Sequence, residues 1–519
     1  MAGRAEPLIR GGGGGIAAAL CLALMAGPLL AVALRAGDSA GLGPGDWAAI
    51  RFTVTQAALS AVLSVALAVP AARALMRRRF PGRGLAITLL GAPFLLPTLV
   101  AVMGLLAVFG RNGLVSQGLA LLGLPPFQIY GFHGVVLGHV FFNLPLVTRL
   151  LLQGWQGIPA ERLRLSESLG FGPRETFRHL ELPMLVRVVP GALLVVFLIC
   201  TTSFAVALTL GGGPRATTVE LAIYQAFRFD FDLGRAAMLA GVQVALCVAA
   251  VLALRLAPLP VRAGTGLDRH AVLRPPRGLP ARLQDTVVIG LVLGFLLLPL
   301  GMLVADGLPG LVLLPDTVWA AALRSLAVAL GSVVVTLALA VPLAFRLAGA
   351  RALWVEVAAN LSIAVSPLVL GLGLFLIVLP LVDPRLMALP VTALVNALLS
   401  LPFVLRALVP AIHEVNAGYG RLAASLGMGR ADWLRLVVLP RVRAPLGFGA
   451  GLAAALSIGD LGVITLFADG ARETLPLALF RLMGAYRLTE AAGAALVLLG
   501  LTLAVFWIFD RGGHGRAGL

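Results

Sequence analysis

The sequence predicts an all-α polytopic membrane protein of about twelve transmembrane helices, arranged as two tandem, parallel six-helix halves. Three observations carry this expectation. Of the 519 residues, 60% are hydrophobic and only 12% are charged, whereas a soluble globular chain carries roughly 25% charged residues. The apolar residues return in blocks of about twenty along the whole length, the run needed to cross roughly 30 Å of hydrocarbon. The chain also repeats itself at about half its length. A soluble enzyme, a disordered chain and a peripheral protein with a single anchor are excluded by the first two.

Taken in order, the blocks lie near 16–34, 53–72, 85–109, 132–152, 188–210, 236–254, 286–305, 325–345, 354–381, 390–411, 444–467 and 491–509. Pro and Gly inside several of them are compatible with spans, because neighbouring helices satisfy the freed backbone groups. Arg4 and Arg10 precede the first block, but no small-residue cleavage site follows it, so it reads as a retained span. Cys21, Cys200 and Cys247 all fall inside apolar blocks without CxxC spacing. They read as inert small hydrophobes rather than as a disulfide or metal site.

All 40 basic residues are Arg, and the net charge is +17. A basic excess can signal a nucleic-acid partner, so its distribution decides the matter. With the N-terminus placed inside, and Arg149, Arg406 and Glu356 at the inner ends of their spans counted with that side, the inner side holds 29 Arg and 11 acidic residues, the outer side 11 of each, and Asp460 lies within a span. The whole excess thus falls on one side, as the positive-inside rule requires. Both termini are expected in the cytoplasm, with lipid around the chain and no nucleic-acid partner.

An offset of 257 residues superposes RLSESLGFGPRETFRHLELP (Arg164–Pro183) on RLAASLGMGRADWLRLVVLP (Arg421–Pro440), with nine of twenty positions identical. The same offset pairs Leu144-Pro145 with Leu401-Pro402, Arg149 with Arg406 and His139 with Asn396, while ALAVP recurs at Pro70 and Pro342 with the offset grown to 272. The expected organisation is a first half over 1–254, an Arg-, Pro- and Gly-rich cytoplasmic linker over 255–285, and a second half over 286–519. An even number of spans per half makes the repeats parallel, which suits a transporter with its pathway between the halves.

Each copy of the twenty-residue repeat (loops 161–183 and 418–440) holds an amphipathic stretch ending in Ser-Leu-Gly, a second short stretch, then Leu-Pro. Glycine permits a sharp change of direction, and proline suits the first turn of the next helix. Each copy therefore reads as a short helix lying across the cytoplasmic face, joined to the start of a span. This pattern resembles the EAA loop of ABC-importer permeases: Gly170 with Leu180-Glu181-Leu182-Pro183, and Gly427 with Val437-Val438-Leu439-Pro440. The position of that family's Glu is held by Arg164 and Arg421, so no Glu contact carries over. Arg164, Ser168, Leu169, Gly170, Leu182 and Pro183, with Arg421, Ser425, Leu426, Gly427, Leu439 and Pro440, are the candidate ATPase-coupling residues the resemblance implies.

The segments 73–83, 210–227, 456–467 and 474–487 are similar to those of the thiamine/thiamine pyrophosphate ABC-importer permeases. That resemblance implies a MetI-like, type I importer permease in a bacterial inner membrane. It also implies two cytoplasmic ABC ATPase subunits, a periplasmic thiamine-binding protein, and thiamine or its phosphates as cargo. No cofactor is expected in this chain, ATP and Mg belonging to the ATPase, and no catalytic or metal residues are expected. Two other readings share part of the pattern: the same machine carrying ferric iron, and a twelve-span proton-coupled secondary transporter. The second leaves the paired motifs unexplained.

Four residues are candidates for the substrate pathway. Asp460 is the acid placed within a span, where a carboxylate is costly and usually faces a cavity or partner. Its alternative role is structural, held by backbone and by neighbouring hydroxyls such as Ser457 and Thr465. Ser203 takes the same position in the first half. Pro97, with Pro93, and Pro367 break the third span of each half, either as a lined discontinuity or as a packing kink. GGGPR (211–215) lacks the P-loop Lys and reads as an outer loop. Arg215 and Arg472 superpose as candidate contacts to a binding protein, and His139 reads as a satisfied buried histidine.

Overall fold

The computed structural model describes residues 12–37, 41–91, 93, 95–256, 278–349 and 352–513. Among them every regular element is helical. The first half runs α1 (Gly12–Ala36), α2 (Pro44–Arg77), α3 (Arg83–Leu89), α4 (Thr98–Phe109), α5 (Leu114–Leu121), α6 (Phe132–Gln156), α7 (Ala160–Ser168), α8 (Pro173–Thr176), α9 (Leu182–Thr201), α10 (Phe204–Leu210), α11 (Val219–Arg228) and α12 (Leu233–Leu256). The second runs α13 (Leu279–Gly310), α14 (Asp316–Gly349), α15 (Leu353–Asn360), α16 (Pro367–Val378), α17 (Ala388–Ser425), α18 (Arg430–Asp432), α19 (Leu439–Ile458), α20 (Ile464–Phe467), α21 (Leu475–Gly484) and α22 (Leu488–Gly513). Most of the expected linker, residues 257–277, lies outside the described residues, as do Arg4 and Arg10.

Among the described residues eleven helices are long and apolar enough to span, or twelve when α15 and α16, bent by 101°, count as one. Four of the expected spans are interrupted. The breaks fall between α3 and α4, α9 and α10, α15 and α16, and α19 and α20. Pro97 precedes α4, Ser203 precedes α10, Pro367 opens α16, and Asp460 lies between α19 and α20. All four candidate pathway residues thus stand at helix breaks.

Helix α2 buries mainly small and hydroxylic residues and turns large apolar ones outward. On α2 the buried stripe is Thr53, Gln56, Ala57, Ser60, Ala61, Ser64, Ala68 and Ala72, while Leu59, Val62, Leu63 and Leu67 are exposed. Lipid is as apolar as leucine, so helices associate through close packing of small residues and polar contacts rather than by burying bulk.

The first helix of each half packs on the other half. Helix α1 lies against α14, α15 and α16, and its Ala17, Cys21 and Met25 share a core with Leu343, Val369 and Leu372. Helix α13 lies against α2 and α4, and Leu296 joins the core of Val102 and Leu105. Each crossing is made at a proline of the visiting helix and a glycine of the host. A Cβ added at Gly104 would sit 2.6 Å from the Pro299 carbonyl oxygen, and one at Gly373 would collide with that of Pro28. Valine at Gly104 or Gly373 should therefore lower stability by about 1–3 kcal/mol or more, the usual cost of overpacking. An unchanged apparent unfolding temperature in detergent would remove this account of the crossings.

The repeat extends to single hydrogen bonds. Val219 N–H donates to Thr53 Oγ1 at 2.9 Å, and Leu475 N–H donates to Ser325 Oγ at 2.8 Å. Thr53 and Ser325 are 272 residues apart, the spacing already seen between Pro70 and Pro342. Each bond fixes the first turn of α11 or α21, whose amides have no partner within the helix. Thr53→Val should cost about 1–3 kcal/mol, the penalty of a buried donor left unanswered, measured as faster amide exchange at the start of α11; exchange as slow as in the parent would count against the pin.

Candidate functional site

The two motif copies lie on one face of the bundle and share a construction. In the first, Gly170 takes φ +71°, Phe171 N–H reaches Ser166 O at 2.9 Å and Gly170 N–H reaches Glu167 O at 3.0 Å. In the second, Gly427 takes φ +61°, and Met428 N–H and Gly427 N–H reach Ala423 O and Ala424 O at 3.0 and 3.2 Å. These are left-handed helix ends in which the glycine frees later amides to answer the last carbonyls. Ser168 and Ser425 each donate to a carbonyl three residues back, Leu165 O and Leu422 O, at 2.8 Å.

A widened π turn follows in each copy, over Phe177–Glu181 and Trp433–Val438. Leu182 N–H bonds Phe177 O, and Leu439 N–H bonds Leu434 O, five residues back. Pro183 and Pro440 come next; neither has an N–H to continue the ordinary ladder, and the extra residue absorbs the mismatch. The motif's Leu-Pro therefore sets both the start of the span and the angle at which the motif joins it. Leu165 and Leu169, with Leu422 and Leu426, are 57–68% exposed. Arg164 and Arg421 are exposed beside them, as are Leu182, Pro183, Leu439 and Pro440.

The copies differ in two respects. A separate short helix is expected in both, at about 164–173 and 421–430, but only α7 is separate; the second copy is the last turns of the 38-residue α17. The first copy has Pro159 at the junction, which disfavours helix before it, where the second has Asn416. The other difference lies at the root. Glu181 is fully buried and takes Arg73 at 2.6 Å and Arg77 at 3.1 Å, with the Arg73 guanidinium stacked 4.9 Å from the Phe177 ring. Arg78 binds Asp285 of α13 at 2.6 Å. The repeat replaces Glu181, Arg73 and Arg77 with Val438, Phe345 and Gly349.

At the centre, the break between α19 and α20 is held between the two halves. A Cβ at Gly459 would lie 3.2 Å from Pro97 Cα, and one at Gly462 3.5 Å from Pro367 Cβ. Pro97, Pro367 and Asp460 are thus brought together, while Ser203 occupies the equivalent break of the first half. There the last carbonyls of α9 are answered by side-chain amides: Gln56 donates to Cys200 O at 3.1 Å and Gln243 to Thr201 O at 2.9 Å.

Asp460 is held by backbone but not by the Ser457 and Thr465 hydroxyls that the structural alternative also named. Its Oδ1 accepts Gly462 N–H at 3.2 Å, and its Oδ2 is buried without a partner. Ser457 Oγ instead accepts from Asn396 at 3.2 Å, and Thr465 donates to Gly462 O at 2.6 Å. His139 is likewise buried but not satisfied, neither ring nitrogen having a partner. The hydroxyl that serves Asn396 is a thiol in the first half, Cys200, and Asn143 already donates to it at 3.3 Å.

On the face opposite the motifs, Arg215 is exposed and Arg472 half-buried. Next to Arg472 in the chain, Glu473 pairs with Arg481 at 2.7 Å. Burial pushes the Glu473 carboxyl above its usual range, opposed in part by Arg481 and Arg324. Sequence reasoning missed Glu181, Glu220, Gln56 and Gln243. Glu181 carried a signal, being an acid inside the repeated motif where the second copy has valine.

Paired, glycine-ended elements joined through π turns to spans are the construction expected of a membrane transport component. Residues 49–257 match the family described as the binding-protein-dependent transport system inner membrane component. Over 99% of its length the chain is 40% identical to 97% of the thiamine transport system permease protein ThiP of Brucella abortus (strain 2308). It is 39% identical, over 99% of its length, to all of ThiP of Salmonella typhimurium, and 39% identical, over 90%, to 89% of ThiP of Escherichia coli (strain K12). The chain belongs to this inner-membrane component family and, within it, to the ThiP permeases.

Proposed function

We propose that this chain is the permease of an ATP-driven importer that moves thiamine or its phosphates across the inner membrane. The observation that carries the reading is the pair of motif elements 257 residues apart, each with exposed leucines joined through a π turn to a span. Such a pair suits two cytoplasmic ATPase subunits, one per element, and a periplasmic binding protein on the opposite face beside Arg215 and Arg472. The motif face is then cytoplasmic, as are both termini.

In the mechanism, ATP binding draws the two ATPase subunits together and moves α7 and the end of α17. The π turns pass this movement to α9 and α19, which end at the central breaks between the halves. Separation on the periplasmic side admits substrate, and hydrolysis restores the inward-facing arrangement. The differential contact needed for such a shift is the ATPase surface on Leu165, Leu169, Leu422 and Leu426.

The test is radiolabelled thiamine uptake into proteoliposomes that hold this chain and its ATPase, with ATP inside, binding protein outside and no ion gradient. ATP-dependent accumulation that vanishes without the binding protein is the expected result. Binding-protein-stimulated ATPase activity without thiamine uptake would retain the importer and discard the substrate. Uptake by this chain alone on a proton gradient would overturn the reading.

A further inference from the structure

Glu220 lies in the first turn of α11, fully buried, and neither of its carboxyl oxygens makes a hydrogen bond. Among the described residues no arginine pairs with it. Holding a carboxylate in that position carries a heavy desolvation cost unless something answers it. The fold does not require the acid. Helix α21 begins in the same way as α11, with Leu475 pinned by Ser325 as Val219 is by Thr53, and carries Pro476 where α11 has Glu220.

The surroundings point to what would answer it. Ser366, from the other half, stands next to the Glu220 carboxyl without hydrogen-bonding it, its Oγ accepting Val369 N–H at 3.2 Å to open α16. The next residue, Pro367, packs on Gly462, whose N–H holds Asp460 Oδ1 while Oδ2 stays unanswered. Two carboxyl groups, one from each half, therefore flank the start of α16. The same elements supply aromatic rings: Phe227 of α11 meets Phe375 of α16 at 4.7 Å between centroids, and Phe375 meets Phe467 of α20 at 5.4 Å, both edge-on. Phe227 stands two turns along α11 from Glu220, roughly 10 Å at the helical rise. Carboxylates answer the charge of an organic cation, and aromatic rings further along the same elements suit its flat ring systems.

Resting on the thiamine reading above, we infer that Glu220 and Asp460 form a cation-binding site in the translocation pathway, closed in this arrangement and opened when α11 parts from α16. The site takes the positively charged thiazolium of the substrate at the carboxyl pair, with Phe227, Phe375 and Phe467 about two helical turns further along the same elements. Glu220 supplies the charge.

The test uses the full importer in proteoliposomes, comparing the parent with Glu220→Gln and Glu220→Asp. Thiamine taken up per ATP hydrolysed is measured alongside ATPase stimulation by the loaded binding protein. The Gln variant should keep stimulation within twofold of the parent and lose at least tenfold in thiamine per ATP, with the Asp variant recovering much of the loss. Unchanged transport by Glu220→Gln overturns the inference. Equal loss of stimulation and uptake in both variants also overturns it, since the residue would then be a structural part of the gate. A parent importer that hydrolyses ATP but carries no thiamine removes the substrate reading, and this site with it.

Discussion

Replacing Glu181 with alanine should destabilise the protein by about 3–5 kcal/mol, the usual cost of removing one partner of a buried ion pair. The carboxylate is fully buried and holds two arginines of α2, Arg73 and Arg77, against the π turn of the first motif. Its removal leaves both guanidinium groups facing an emptied site and loosens the root of α9. Apparent unfolding temperature in detergent is the measurement, with no change as the contrary result. The second half shows how the penalty is avoided. Val438 is buried at the position of Glu181, and Phe345 stands at that of Arg73. Glu181→Val combined with Arg73→Phe should therefore recover much of the stability lost by the alanine variant, because well-packed apolar groups can replace a buried ion pair at little cost.

Proline at Gly427 should abolish coupling while leaving the chain inserted. Gly427 has φ +61°, and proline is confined to about −65°. The substitution also deletes the N–H that reaches Ala424 O. The end of α17 would unwind and its exposed Leu422 and Leu426 would lose their fixed position. ATPase stimulation by the loaded binding protein should fall at least tenfold in proteoliposomes, and uptake with it. Alanine at the same position keeps the N–H and should cost far less, since only the left-handed backbone is strained. Normal coupled uptake by the Gly427→Pro variant would show that this element is not a lever.

The spans and the repeat were legible because lipid and the positive-inside rule act on composition alone. The breaks at Pro97 and Pro367 announced themselves through proline. That at Ser203 carries no such mark, and only its four-way correspondence with Asp460 pointed to it. The π turns were illegible, since nothing local separates them from an ordinary helical turn before Leu-Pro. Glu220 escaped notice for a different reason. Residues 217–228 are too short and polar to read as a span, whereas α11 is packed between α2, α12 and α16. Its burial depends on partners contributed by both halves. The crossing of α1 and α13 was equally hidden, because helices that are apolar all round do not disclose which neighbour they meet.

That crossing imposes a timetable on synthesis. Helix α1 leaves the ribosome long before α14–α16, the surface on which it comes to rest, has been made. At the usual 5–20 residues per second the wait is on the order of tens of seconds. During that time α1 can rest on α12 of its own half once that helix is made, but its face toward α14–α16 meets only lipid, and the groove that α13 fills in the first half stands open until α13 arrives. Neither half can complete its packing before the ribosome has passed α16, so the earliest product of translation is also among the last to find its place.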